Sequence, residues 1–451
     1  MLPEIRLAWL CLLMVAPSSW AAPVRTLTFD EAIALALERN IPLRQAETAA
    51  ELSTVAVSEA HGQFLPDLTL DTAGSKNYGR NFNSATGTVT DETTRSLTLG
   101  ASSGLTMFAG FRDLATLRQA KLNARAGGLD LGRARETAIL TVASNFLSLI
   151  QLQDQLRVQR ENLEAEATLE TQIRHFVEAG ARAQSDLYQE QANVSSARLA
   201  MVGAQNAAEL AKVDLMRTLQ LDPLGVYEFQ APDVETLLKS TEPTEMPDLL
   251  ARALARRPDL RAAEARVAAA EQSLRIARAG YWPTVALQAG YGSSYTDAVP
   301  TDFHDQLDIG RGGSVGLNVS IPLFDRGATR NATRRAQLQL RGERLTLEDL
   351  RQEVGLQVKS AYLNYRAARD QLTEAETGQG AAQRAVQSAQ ERFKKGAAIL
   401  VELTQARAVY VLAESALVAA RTNFLLQRTL MSYSLGEISA HALDAAPPPT
   451  G

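Results

Sequence analysis

Candidate catalytic and metal-binding motifs are few and scattered in this sequence. The four histidines lie far apart, at His61, His175, His304 and His441. They lack the spacing of metal ligands. The glycines Gly127, Gly128 and Gly132 do not lead into the Lys-Ser/Thr ending of a phosphate loop. No Ser-His-Asp arrangement or paired-carboxylate motif stands out. We therefore expect no enzyme activity, no metal site and no cofactor.

The first residues of the chain predict export. An apolar run at residues 7–16 follows Arg6, and residues 19–21 have the small-x-small pattern of a cleavage site, so residues 1–21 are expected to be a signal peptide. The only cysteine, Cys11, lies within this segment. The mature chain therefore has no thiol for a disulfide, for catalysis or for metal binding.

The composition argues against two further classes of protein. Lys and Arg total 46 against 51 for Asp and Glu, a net charge of -5, so no basic excess is available for binding nucleic acid. Hydrophobic residues make up 45% of the chain but aromatic residues only 6%, which is typical of long packed helices rather than of a disordered chain. After the signal peptide we expect no stretch near the ~20 apolar residues of a membrane helix, although strands could still enter a membrane.

The chain contains an internal duplication. Residues match at an offset of 217 and then of 216, as in the pairs Leu43 and Leu260, Pro66 and Pro283, Phe108 and Phe324, Gly180 and Gly396, and Leu219 and Leu435. A single change of offset indicates two copies of one large unit, because short solenoid repeats run ~20 to 50 residues. We expect a first repeat at 22–221, a connector at 222–246, a second repeat at 247–436 and a C-terminal tail at 437–451.

Two long stretches without proline, residues 67–222 and 323–446, predict long helices. Apolar residues recur there with the heptad pattern of a coiled coil. One heptad line is Ile139, Val142, Phe146, Leu149, Leu156, Leu163 and Ala167. A second is Leu187, Val194, Met201, Ala208 and Leu215, and its copy is Leu403, Tyr410, Leu417, Phe424 and Met431. A helix from about 112 to 179 would be roughly 100 Å long, which suggests that it spans a space.

Four segments between the helices alternate with period two and predict strands, at about 64–74, 96–108, 283–292 and 313–324. One face of each is aliphatic and the other carries Thr, Gly, Ser, Gln or Asn, which is the pattern of a transmembrane β-barrel. Aromatic residues at the strand ends predict a belt at the membrane interface, formed by Phe64, Phe108, Tyr281, Trp282 and Phe324. The intervening segments 75–94 and 293–312 are expected to be turns.

Four strands are too few to close a membrane barrel. Such barrels begin at ~8 strands, and lipid excludes open sheet edges. The chain is therefore expected to form an oligomer. Two, three or four copies would give about 8, 12 or 16 strands, and this arithmetic does not choose among them.

These features together resemble the TolC-like outer membrane efflux (outer membrane factor) family. The resemblance covers essentially the whole mature chain. It is carried by residues 27–32, by Phe64-Leu65-Pro66 with its copy Tyr281-Trp282-Pro283, and by residues 321–325 with Gly327. It implies a mixed α/β membrane protein, a homotrimer with a ~12-strand β-barrel in the outer membrane that is continued by a periplasmic α-helical barrel. It also implies an exit duct of a tripartite efflux pump or type I secretion system, with a periplasmic adaptor, an inner-membrane pump and outer membrane lipid as partners.

The same resemblance assigns roles to residues at two helix reversals. Gly180 and Gly396 would form the tips of helical hairpins at the periplasmic entrance, where an adaptor or pump docks. Asp186 and Glu402 would face a constricted lumen, where crowded carboxylates repel one another and attract cations. An ordinary solvated helix face is the alternative for both acids.

Two further positions belong to this expected entrance. Phe393 precedes the second tip and is counted among the gate residues. Gln405 departs from the family, which often has a second acid there, so a strong cation-binding ring is in doubt. The competing classes of protein are a periplasmic adaptor without a pore and an envelope enzyme. The symmetric pairs of strands favour the channel, and the sequence does not identify its cargo.

Overall fold

The structure, a computed structural model, describes residues 25–83, 87–91, 93–230 and 245–438. The predicted signal peptide, much of the predicted connector and most of the tail lie outside the described residues. The chain forms two compact units. The first, here called the hairpin unit, contains Met1–Glu38, Thr141–Ser240 and Ala375–Thr422. The second, the sheet unit, contains Arg39–Leu140, Thr241–Glu374 and Asn423–Gly451.

Long helices dominate the described residues. The helices are α1 (Phe29–Arg39), α2 (Ile41–Gly62), α3 (Arg112–Glu178), α4 (Gln184–Thr218), α5 (Met246–Arg256), α6 (Pro258–Ala279), α7 (Phe303–Ile309), α8 (Ala328–Lys394) and α9 (Leu400–Leu435). The strands are β1 (Arg25–Leu27), β2 (Thr69–Asn77), β3 (Arg80–Asn83), β4 (Thr88–Asp91), β5 (Thr94–Ala109), β6 (Tyr227–Phe229), β7 (Thr284–Thr296) and β8 (Gly312–Ser320).

Three pairs of helices recur in the same order with equal lengths. α1 and α5 have 11 residues each, α2 and α6 have 22, and α3 and α8 have 67. α3 begins at Arg112 and α8 at Ala328, an offset of 216 that also relates the two halves of the sequence. A helix of this length measures roughly 100 Å. The internal repeat is therefore a property of the secondary structure as well as of the sequence.

Buried apolar side chains follow the heptad lines of α4 and α9. The buried positions are Leu187, Val194, Ala208 and Leu215 in α4, and Leu403, Leu417, Phe424 and Met431 in α9. The remaining members of these two lines, Met201 and Tyr410, are only half-buried. In α3 the heptad line is wrong at its end, where Leu163 and Ala167 are only half-buried and Leu169 and Ile173 are buried instead. The reason is that a straight helix, with 3.6 residues per turn, drifts away from a strict seven-residue repeat.

An aromatic cluster lies at the core of the hairpin unit. β1 pairs in parallel with β6, so that Leu27 lies opposite Phe229. The ring of Phe146, on α3, is fully buried and makes edge-to-face contacts with Phe29 on α1 and with Phe229, at centroid distances of 5.3 and 6.1 Å. Three elements of this unit are thus held together by three rings.

The sheet unit contains a four-stranded antiparallel sheet in the order β2-β5-β7-β8. Residues that pair across strands lie on the same face, so the register separates two faces of different polarity. One apolar row is Leu105, Leu287 and Leu317. One polar row is Thr69, Ser102, Gly290 and Ser314. The register therefore agrees with the alternation of the sequence.

Two strand boundaries differ from the expected ones because of proline. β2 begins at Thr69 and not near 64, since Pro66 has no N–H for a ladder and the N–H of Phe64 and Leu65 bond back to the end of α2. β8 ends at Ser320 and not near 324, because Pro322 follows.

The expected turns also contain more structure than the sequence predicted. The segment 75–94 holds the β3–β4 hairpin, and the segment 293–312 holds the end of β7 and the short helix α7. The side chain of Gln306 fastens α7 to β7: its Oε1 accepts from the Thr296 N–H at 2.9 Å, and its Nε2 donates to the Thr296 carbonyl at 2.9 Å. A side chain of this kind leaves no periodic signal in the sequence.

One helix corrects the expectation about membrane-spanning stretches. Among the described residues, α9 is long and apolar enough to cross a membrane, with a mean hydropathy of 1.3 over an 18-residue window. Its apolar residues include the buried heptad positions Leu403, Leu417 and Phe424. A packed helix needs the same composition, so length and hydropathy alone do not place α9 in lipid.

Candidate functional site

Two hairpin tips form the candidate site, and both have the same backbone geometry. α3 is joined to α4, and α8 to α9, by five residues, with glycines at φ of 71° (Gly180) and 72° (Gly396). The Ala181 N–H donates to the Phe176 carbonyl at 2.8 Å, and the Gly180 N–H donates to the Val177 carbonyl at 2.9 Å. This is the Schellman pattern, in which a left-handed residue lets the last carbonyls of a helix be satisfied. The second tip repeats these bonds between residues 392 and 397.

The two tips share one apolar core. Its buried members are Leu169, Ile173, Leu187, Ala389, Phe393, Ala398, Leu400 and Leu403, from all four helices. The Arg182 guanidinium lies 4.8 Å from the centre of the Phe393 ring, a cation–π contact between the two tips. Phe393, expected at the entrance, is thus buried inside the tip core. In the single chain it stabilises the tips and does not face solvent.

The two acids each have an arginine partner, which the sequence analysis missed. Asp186 lies 3.5 Å from Arg182, and the carboxylate of Glu402 contacts the guanidinium of Arg392. Both pairs are partly exposed, and Gln405 is exposed. The arginines offset the negative charge that we expected at the entrance. Arg182 and Asp186 are only four residues apart, a spacing at which oppositely charged side chains commonly pair, so this ion pair could have been predicted from the sequence. Arg392 reaches Glu402 only across the turn, so that pair could not.

A buried charged cluster, also missed, lies one helical turn from the tip core. Glu190 of α4 is fully buried, and Glu166 of α3 and Arg407 of α9 are almost fully buried. Burial, and then the neighbouring carboxyl of Glu166, raises the pKa of Glu190 to about 8. Glu190 falls between the heptad residues Leu187 and Val194, so an acid at a core position was the available signal.

The five aromatic residues of the predicted belt lie at or near the junctions between strands and helices. Tyr281 and Trp282 lie between α6 and β7, Phe324 lies between β8 and α8, and these three side chains are exposed in the chain. Phe108 lies in β5 just after a register shift, opposite Val285. Strict alternation would have put Phe108 on the polar face, and the irregularity turns it to the apolar face with Val285. Phe64, half exposed, follows α2.

An antiparallel sheet with one apolar face, joined to hairpins of very long helices, is the architecture of a channel-forming membrane protein. The family model described as "Outer membrane efflux protein" matches residues 32–219 and 249–437. The chain belongs to this family of TolC-like proteins of the outer membrane, as the sequence landmarks indicated.

Known relatives and structures agree with this membership. The chain is 24% identical to the outer membrane efflux protein BepC of Brucella suis, over 92% of this chain and 87% of BepC. It is 24% identical to the outer membrane protein TolC of Escherichia coli, over 90% of this chain and 81% of TolC. A membrane protein from Pseudomonas aeruginosa has the same fold, with a TM-score of 0.80 and 20% identity over 90% of this chain and 92% of that one. Members of the family are transport proteins of the outer membrane, which supports a role in transport rather than in catalysis.

Proposed function

We propose that three copies of the chain assemble into an exit channel of the outer membrane, with 12 β-strands in lipid and the helical hairpins as a periplasmic barrel. The channel would serve a tripartite efflux pump or a type I secretion system, together with a periplasmic adaptor and an inner-membrane pump. The observation that carries this proposal is the sheet of four strands, which has one apolar face and two edges that no other described strand pairs with.

The edges are the reason for an oligomer. β2 and β8 each pair on one side only, and every residue of both strands is exposed in the chain. The exposed side chains include Leu70, Val315 and Leu317, which are 84%, 77% and 61% exposed. Apolar side chains of this kind are stable against lipid, but unpaired N–H and C=O groups are not. Pairing β8 of one copy with β2 of the next satisfies both edges.

The native mass tests this assembly. The mature protein is extracted from outer membranes in detergent, and the protein mass is measured by light scattering after subtraction of the detergent. We expect three chain masses, where the full chain of 451 residues has a mass of 48.8 kDa. Two or four chain masses would overturn the trimer. A monomer that is recovered without detergent would overturn the barrel and favour a pore-free adaptor.

The tips are proposed as the entrance and as the docking site for the partner proteins. Gly180 and Gly396 allow both hairpins to reverse within five residues. Apart from the adjacent residues, no part of the described chain lies within 4 Å of a Cβ built at either glycine. The tips are therefore accessible to an adaptor. The aromatic residues at the strand ends are proposed, in the same assembly, as the belt at the periplasmic interface of the membrane.

Charge at the entrance is proposed to set how easily it opens. Arg392→Gln should leave the Glu402 carboxylates of three copies unpaired and close together, and their repulsion should favour an open entrance. We expect a several-fold increase in open probability in planar bilayers and a stronger preference for cations. Lys395→Gln removes the same charge from an exposed side chain of the same tip and should have little effect. If both variants behave alike, the ion pair does not control opening.

A double variant distinguishes the effect of the Glu402 charge from that of the other contact of Arg392. Arg392→Gln combined with Glu402→Gln removes the repelling carboxylates, and we expect wild-type open probability and selectivity to return. A double variant that stays as open as Arg392→Gln would mean that Arg392 acts through its bond to the Ala397 carbonyl, at 3.3 Å, and not through Glu402.

A further inference from the structure

The buried cluster of Glu166, Glu190 and Arg407 contains more carboxylate than its cation can balance. Arg407 contributes one positive charge, and its Nη1 lies 3.6 Å from Glu166 Oε2 but donates to the Ala165 carbonyl at 3.0 Å. If both glutamates were ionised, the cluster would hold a net negative charge almost without water. Burying an uncompensated charge is expensive, so one of the two carboxyls is expected to be neutral.

The oxygen atoms of the two carboxyls support the same conclusion. Glu166 Oε2 and Glu190 Oε1 are buried, and no group of the described residues donates a hydrogen bond to either atom. The two carboxyl groups nevertheless lie within hydrogen-bonding reach of each other. Two ionised carboxylates offer only acceptors, and a proton on one of them supplies the missing donor. Asn193 Nδ2 donates to the other oxygen of Glu190, at 3.1 Å, and holds that side chain in place.

We propose that Glu166 and Glu190 share one proton, and that this proton fastens α3, α4 and α9 together beside the tip core, so that the hairpins loosen when the proton is lost. The charged groups that face Glu190 are Glu166 from α3 and Arg407 from α9. Leu169, Leu187 and Leu403, one turn away on the same three helices, belong to the tip core. Repulsion between the two carboxylates would therefore push apart helices that also build the tips.

The direction of the pH effect follows from which state holds the proton. The pKa of Glu190 is raised from 4.5 to about 8 by burial and by Glu166, so the folded chain keeps a proton that the unfolded chain releases. The stabilising contribution is complete below pH 4.5, falls as the pH rises, and is lost once the pH passes about 8. Within this window the folding equilibrium constant should fall by up to about tenfold per pH unit.

Infrared spectroscopy of the full protein in detergent tests the shared proton directly. At about pH 6 almost all exposed carboxyls are ionised, so we expect a C=O stretch from one protonated carboxyl per chain. It should vanish with a midpoint near pH 8 and should be missing in Glu190→Gln. No such band in the wild type at about pH 6, or a band that persists in Glu190→Gln, would overturn the proposal.

Thermal unfolding gives a second measurement with a matched control. Glu190→Gln keeps the shape of the side chain and carries its own N–H donor toward Glu166, so it imitates the protonated form. Its unfolding midpoint should exceed that of the wild type increasingly from pH 4.5 to about 8 and by a constant amount above. Glu209→Gln, on the exposed face of α4, should follow the wild type at every pH. Parallel curves for the wild type and Glu190→Gln would overturn the proposal.

The shared proton and the channel function are tested by different measurements. Any effect of the pair on conduction rests on the proposed channel function, whereas the infrared band and the unfolding midpoints depend only on the packing of the hairpin unit. A band that titrates as expected in a protein that is not a trimer would contradict the proposed function alone.

Discussion

Replacing Phe146 by alanine should destabilise the protein by about 3–5 kcal/mol, the largest loss that we expect from a single truncation. The ring is fully buried and has edge-to-face contacts with Phe29 and Phe229. Its removal would leave a cavity in the hairpin unit and take away two aromatic contacts, each of about 0.5–1.5 kcal/mol. Because the partners lie on α1 and β6, the loss should loosen the two-stranded sheet as well as α3.

The internal repeat provides a matched control. Tyr362 lies at the position of α8 that corresponds to Phe146, 216 residues further along, but it is only half-buried, with the Arg366 guanidinium 5.8 Å from its ring. Tyr362→Ala should cost clearly less. Unfolding midpoints of both variants in detergent, with the yield of folded oligomer, measure the difference. Equal losses of stability in the two variants would show that the burial and ring contacts of Phe146 add no stability beyond that of a half-buried aromatic side chain.

The long elements of this fold could be predicted because their signals are repetitive. The proline-free stretches and the heptad spacing predicted a helix at about 112–179, and α3 ends at Glu178. The alternation in β5 and β7 persists through more than ten residues, so that an error in one position does not change the assignment. Burial at four of the five heptad positions of α4, all except Met201, also follows from periodicity alone.

The parts that could not be predicted depend on single contacts. The turn of Phe108 to the apolar face depends on one irregularity in β5, and α7 depends on bonds from Gln306 to Thr296. The neutralisation of Glu402 depends on Arg392, ten residues earlier, and becomes visible only once the turn at Gly396 brings the two together. Local three-dimensional contacts of this kind leave no period in the sequence.

The two helix reversals could therefore be predicted from the sequence, but not every contact of their charged side chains could. The glycines and acids marked the two tips, since their spacing repeats in both halves of the chain. The expectation of bare carboxylates is changed by Arg182 and Arg392. The sequence analysis also overlooked Glu190, an acid that falls between the heptad residues Leu187 and Val194. Because loss of its proton places a charge between packed helices, a buried acid makes the packing sensitive to pH.

Gly110→Ala should be the second strongly destabilising change, by about 2–5 kcal/mol. Gly110 joins β5 to α3 with φ of 62°, and a Cβ there would lie 2.6 Å from the Trp282 Cβ and 2.7 Å from the Ala279 carbonyl oxygen. The left-handed conformation costs alanine about 1–2 kcal/mol, and overpacking adds about 1–3 kcal/mol. The obstacle consists of a Cβ and a backbone carbonyl, which cannot rotate away.

A glycine in the second half of the chain separates the cost of the left-handed backbone conformation from the cost of overpacking. Gly327 lies at the corresponding junction, between β8 and α8, one residue beyond the position that matches Gly110 at the offset of 216. It has φ of 78°, and no other element of the described residues lies within 4 Å of the added Cβ. Gly327→Ala should therefore show only the conformational cost of about 1–2 kcal/mol. Thermal unfolding in detergent and the yield of folded oligomer measure both variants, and equal losses would mean that the contact with Trp282 relaxes freely.

A steric effect at Gly110 should reach the sheet itself. The neighbouring Ala109 pairs with Thr284, only two residues after Trp282. A displacement of Trp282 would therefore disturb the first residue pair between β5 and β7. These two strands are the central ones of the sheet. We therefore expect Gly110→Ala to lower the amount of protein that assembles in outer membranes more than its thermal midpoint alone would predict. For Gly327→Ala, assembly should follow the thermal midpoint, since its added Cβ meets no other element.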